Sequence, residues 1–206
     1  MAPARRIYDM PQSNTEPELT LPQAEADWVC EAYAQAGTIL EYGSGGSTML
    51  AARMPGKTVF SVENDPDWAH MMTARLDAAE TVSEVHIHHV DIGPTGKWGR
   101  PRDRSKSRRY ADYPLSVFDR ADFSHPDLVL IDGRFRAACL FALMMRLSRP
   151  TPVLFDDYRD RPTYRVVERI LEPSEIRGRM ARFDVTPAPW PSETLSTIIR
   201  AFHDPR

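Results

Sequence analysis

"ILEYGSGGSTML", residues 39–50, is the stretch whose reading decides the fold. Residues suited to a buried strand run into a turn with glycine at 43, 45 and 46, and Ser47 and Thr48 then open a stretch of helical composition. Glycine lets a main chain bend tightly and approach a neighbour or ligand closely. A strand, a glycine turn and a helix in that order begin a βα unit, and in an open parallel sheet such a turn sits on the ligand-binding rim. Glu41, two places before the first glycine, adds a charge test. Its carboxylate would repel a pyrophosphate resting on the amino end of the next helix. The dinucleotide pattern also wants glycine where Thr48 stands, and the phosphate loop wants a lysine that is absent. A ligand carrying positive charge suits the site better.

Working outward, "LPQAEADWVCEAYAQAG" predicts a helix between Pro22 and Gly37, ahead of the strand "TILEY". After the turn, "STMLAARM" is a helix, "TVFSVEND" a strand, "PDWAHMMTARLDAAE" a helix opened by Pro66, and "EVHIHHVD" a third strand. "PDLVLIDG" and "TPVLFDDY" are strands four and five, separated by the apolar helix "AACLFALMMRLS" and followed by a helix over "TYRVVERILEP". The tail "GRMARFDVTPAPWPSETLSTIIRAF" reads as two strands joined by a proline-rich turn. Alternation of this kind predicts an α/β fold, doubly wound, with a mostly parallel seven-stranded sheet and an antiparallel C-terminal edge hairpin.

The whole chain sets bounds. Its 206 residues, 42% of them hydrophobic, fit one domain over 22–206, preceded by a polar arm at 1–21 and interrupted by an insertion at 93–122. A net charge of −3 gives no global pull toward nucleic acid or an anionic membrane. No stretch reaches the roughly 18 apolar residues of a membrane span. Cys30 and Cys139 lack metal-ligand spacing and read as thiols in a reducing, cytoplasmic setting.

Glu41-Tyr42-Gly43-Ser44-Gly45-Gly46-Ser47-Thr48 resembles motif I of class I S-adenosylmethionine-dependent methyltransferases, which have a Rossmann-like fold. That cofactor carries an ammonium and a sulfonium and no phosphate, as the charge argument asks. The resemblance extends over residues 22–171, and only its first motif is specific alone. It implies cofactor contacts at Glu41, Gly43, Ser44, Gly45, Gly46 and Ser47, and ribose contact at Glu63 with Asn64 beside it. Asn64 or Asp65 could equally cap the next helix. After strand three the resemblance implies that Asp91 meets the adenine amino group while Ile92 packs on the ring, with Asp132 also near the cofactor.

Asp132, Asp156 and Asp157 end strands four and five and should emerge on the same rim. Three carboxylates together need a proton or a cation. The arrangement is similar to catechol-type O-methyltransferases, with Asp157 where that family has asparagine, and implies magnesium or manganese on Asp132, Asp156 and Asp157. The competing reading has Asp132 touching only the cofactor or a helix amino end and Asp156 or Asp157 paired with Arg134, Arg136, Arg159 or Arg161; without a metal, Asp132 or Asp156 becomes the candidate catalytic base. His86 and His88 share a face of a strand expected to be internal, and read as ordinary strand residues. The insertion gathers Lys97, Arg100, Arg102, Arg104, Lys106, Arg108 and Arg109 beside Trp98 and Tyr110, which suits a lid over a small anionic or sugar-like acceptor better than a nucleic-acid surface. The expected activity is methyl transfer to an oxygen of a small molecule. The alternatives are a catalytically silent binding module and a nicotinamide-dependent oxidoreductase.

Overall fold

The computed structural model describes residues 17–206, so most of the expected arm at 1–21 lies outside the described residues. Helix α1 (Gln23–Gln35) leads into β1 (Thr38–Tyr42), α2 (Gly46–Arg53), β2 (Thr58–Glu63), α3 (Pro66–Ala78) and β3 (Glu84–His89). Short helical turns, including α4 (Asp112–Leu115), occupy the insertion, and β4 (Leu128–Ile131), α5 (Arg136–Arg146) and β5 (Thr151–Phe155) follow. A 3₁₀ helix over Pro162–Arg169, the strands β6 (Glu175–Arg177) and β7 (Met180–Val185), and α6 (Leu195–Ala201) complete the order.

The seven strands form one sheet in the order β3-β2-β1-β4-β5-β7-β6, with β1 to β5 parallel, β7 antiparallel to β5, and β6 antiparallel to β7. Strand alternation divides the core. Ile39, Val59, Leu130 and Leu154 pack with Trp28, Val29 and Tyr33 of α1 on one face. Leu40, Tyr42, Val129 and Phe155 pack with α5, α6 and Tyr110, Tyr113 and Val117 of the insertion on the other. Strand order reverses between β1 and β4, which places the turns after those strands at the switch point where such sheets bind ligands.

Three expectations need correction. "TLSTIIRAF" was expected as a strand and is the helix α6, because Ile198, Ala201 and Phe202 recur at helical spacing and bury together in the larger core. The edge hairpin therefore forms earlier, from "EIRGRM", around Gly178 at φ 57°. Strand β3 is an edge strand, paired only with β2. Its half-buried histidines are occupied locally: His86 stacks on Phe60 with ring centroids 4.9 Å apart, and His88 Nε2 lies 2.9 Å from Ser116 Oγ. The helix expected over 163–173 is instead the 3₁₀ turn at 162–169, its start held by Arg161, which bonds both Tyr164 and Asp157.

Candidate functional site

Gly43 ends β1 at φ 102°, and a Cβ on it would come within 2.8 Å of Gly133 Cα, so the turns after β1 and β4 stand back to back. A Cβ on Gly45 would meet nothing within 4 Å, which leaves the turn open there, whereas the backbone of Glu18 and Leu19 crosses directly over Gly46. Glu41 lies beneath the turn, fully buried, and accepts hydrogen bonds from Tyr33 Oη and Thr48 Oγ1, each at 2.6 Å. Thr48 Oγ1 in turn accepts from Gly45 N at 3.0 Å. Burial pushes the Glu41 carboxyl up, against the hydroxyls of Thr48, Tyr33 and Ser47. Glu41 thus braces the turn from below, with no exposed surface of its own. Ser47 is also buried.

Glu63 closes β2 beside this turn. Its Oε1 accepts from the backbone N of Asn64 (2.8 Å) and Asp65 (2.9 Å), and its Oε2 from Ser44 Oγ (3.0 Å) and N (3.3 Å). Burial raises its carboxyl and these donors pull it back. Asp65 caps α3 by accepting from Asp67 N and Trp68 N. Asn64 does not cap: its Nδ2 donates to Gly99 O of the insertion at 2.7 Å. Thr95 Oγ1 donates to Asp65 Oδ2 at 2.8 Å, a second tie between insertion and rim. Asp91 makes a third, since Lys106 and Arg109 (3.2 Å) pair with its Oδ2 and hold it below the usual carboxylate range, Lys106 foremost. Its carboxylate is thus committed to the insertion, and Ile92 next to it is buried in the core.

The three aspartates do converge, offering oxygens within 4.8 Å of one another. Cations already fill the spaces between them. Arg179, from the β6–β7 turn, donates Nε and Nη2 to the two oxygens of Asp156 at 2.9 and 2.7 Å. Asp157 pairs with Arg161 (2.7 Å), Arg136 (3.3 Å) and Arg179 (3.3 Å), and Asp132 with Arg136 (2.9 Å). Asp156 is 1% exposed with both oxygens held in a fork, a geometry guanidinium matches well. Three acids against three arginines leave no surplus negative charge, so this donor set does not fit a resident divalent ion. Asp132 is the group left chemically poised: burial raises its carboxyl to about 7, Arg136 opposing and Asp156 and Asp157 adding to the rise. Asp157 at φ 58° and Phe135 at φ 51° place left-handed backbone in both turns, each costing about 1–3 kcal/mol.

Two arginines escaped the sequence reading in different ways. Arg179 was placed at the start of the wrong hairpin, although Gly178 before it is a turn signal. Arg134 was one of four candidate partners for Asp156 or Asp157 in the competing reading. It is buried instead, and among the described residues its Nε and Nη1 have no hydrogen-bond partner.

A crystal structure of a methyltransferase-like protein from Silicibacter pomeroyi is 49% identical, covers 92% of this chain and 99% of its own, and superposes with a TM-score of 0.89. This chain belongs to the class I methyltransferase-like proteins. The O-methyltransferase TomG from Streptomyces achromogenes, involved in tomaymycin synthesis and solved with S-adenosylmethionine, is 20% identical over 78% of this chain and 80% of its own, with a TM-score of 0.51. An S-adenosylmethionine-dependent O-methyltransferase from Thermotoga maritima is 11% identical over 84% and 69%, also at 0.51. These two share the fold with the methyltransferase-like chain. No family model and no curated protein matches it.

Proposed function

We propose that this protein is an S-adenosylmethionine-dependent methyltransferase that methylates an oxygen of a small acceptor. The observation that carries the reading is the bond from Ser44 to Glu63, which joins the glycine turn to the carboxylate of β2 on the rim where Asp132 also emerges. Residues 43–47 and Glu63 would hold the cofactor, with Gly45 open toward it. Asn64, Asp91 and Ile92 support that side by anchoring the insertion or packing beneath it. Bound there, the cofactor supplies a methyl group on a positively charged sulfur.

Asp132 takes the proton of the acceptor hydroxyl at its carboxylate, and Arg136 holds that carboxylate in place. Asp156 positions Arg179 and is not the base, because both its oxygens are engaged. The insertion excludes water above the pair, within one domain over 22–206. Magnesium and manganese have no role in this reading, since arginines already neutralise the acids. Two free cysteines suit a cytoplasmic setting.

Calorimetric titration with S-adenosylhomocysteine, S-adenosylmethionine and NAD tests the reading. The adenosyl ligands are expected to bind at micromolar concentration, equally with magnesium or a chelator present, and NAD not at all. NAD binding with silence from the other two reverses the conclusion.

A further inference from the structure

Arg134 presents a cost that nothing else in the molecule offsets. Its residue is 6% exposed and its guanidinium stays charged at any physiological pH. Buried charges in proteins are ordinarily paired, and a buried polar group with no partner calls for an explanation. Around Arg134 lie Arg136, Tyr164, Tyr113 and Arg100, two further cations and two phenols, and burial with Arg136 foremost among its charged neighbours disfavours its charged form. The acids next door do not reach it: Asp132 and Asp157 are claimed by Arg136, and Asp156 by Arg179. The backbone holds the residue firmly, with Arg134 N donating to Tyr113 Oη at 3.3 Å and Cys139 Sγ donating to Arg134 O at 3.5 Å.

The position is as informative as the missing partner. Arg134 stands two residues after Asp132 in the turn that backs on the glycine turn, and faces the insertion through Tyr113 and Arg100. An anion entering between insertion and sheet would meet the unpartnered donors within the same turn that carries the base.

We propose that Arg134 is the anion-recognition residue of the acceptor pocket, so that the small molecule methylated here carries a carboxylate or phosphate group beside its reacting hydroxyl. This rests on the methyl-transfer reading for the word acceptor, while the anion site stands on its own observations. Arg100 adds a second, solvent-facing cation from the insertion, which strengthens the pull on an anion. The anion converts an uncompensated buried charge into a paired one, so its binding is coupled to the stability of the turn.

The test uses the full chain with inorganic phosphate and acetate as probes, at low ionic strength, with and without S-adenosylhomocysteine. Phosphate or acetate at millimolar concentration is expected to raise the melting temperature of the native protein and of Arg134→Lys, and to leave Arg134→Gln and Arg134→Met unmoved. The Met variant, freed of an unpaired charge, is expected to melt no lower than the native chain without ligand, which guards against a folding defect. Equal responses to the anions in native and Gln proteins overturn the proposal. The cofactor's own carboxylate is the rival source of the anion. If Arg134→Gln weakens S-adenosylhomocysteine tenfold or more yet leaves 5′-methylthioadenosine, which lacks that carboxylate, unchanged, the acceptor assignment falls. An Arg134-dependent phosphate response without any adenosyl binding supports the anion site and removes the methyl-transfer reading instead.

Discussion

Asp132 is the residue at which pH should register. Its carboxyl is raised to about 7, so it is protonated below neutrality and gains its base form as pH rises. On the proposed mechanism kcat/KM climbs about tenfold per unit below that value and levels above it, and Asp132→Asn lowers the rate by about 10²–10⁴-fold and erases the limb. A limb that survives in the Asn variant belongs to another group. The same pKa has a stability consequence of defined sign: a carboxyl raised on folding favours the native state most below its unfolded value and loses that contribution as pH rises through the folded one. The acids were legible in the sequence because strands buried on both faces end abruptly at charged residues. Their partners were only half legible. Arg136 and Arg161 lie four residues from Asp132 and Asp157, but Arg179 reaches Asp156 through strand pairing, which sequence distance does not reveal.

At the scale of elements, the five parallel strands and the helices between them could be read from hydrophobic runs broken by glycine and proline. Edges could not. Whether β3 is internal or peripheral depends on which strand β4 chooses, and β1 takes both β2 and β4. The insertion shows the same limit, because its cations suggested a lid and said nothing of Tyr110, Tyr113 and Val117, which bury in the core. It is latched to the rim by Asn64, Asp65 and Asp91. Asn64→Ala leaves Gly99 O without that donor, a loss of about 1–1.5 kcal/mol. Tryptic cleavage between Arg100 and Arg109 should then quicken about tenfold if opening is fast relative to cutting. Saturating S-adenosylhomocysteine should restore protection. Unchanged cleavage would show that the core aromatics alone hold the insertion down.

Across the whole molecule, the site depends on parts far apart in the chain. Glu25 of α1 accepts from Arg179 N at 2.6 Å and packs on Gly178, which fixes the hairpin turn that delivers Arg179 to Asp156. Asp156 is buried but Arg179 is 29% exposed, so removing Arg179 strands a carboxylate that water can partly reach. Arg179→Met is therefore expected to cost about 1–3 kcal/mol in urea unfolding. Adding Asp156→Asn should recover much of that loss, and simple additivity of the two changes would deny the coupling. Among the described residues no helix is long and apolar enough to cross a membrane. The seam between Gly43 and Gly133 carries the last consequence. Because those two turns meet at glycines, with the buried Tyr113 hydroxyl closing on Gly133, the proposed mechanism would have its reach from sulfur to receiving oxygen set as if by a fixed gauge. A series of accepted compounds should therefore tolerate changes at the end far from the reacting hydroxyl and reject a single added methylene between that hydroxyl and the ring or chain that bears it.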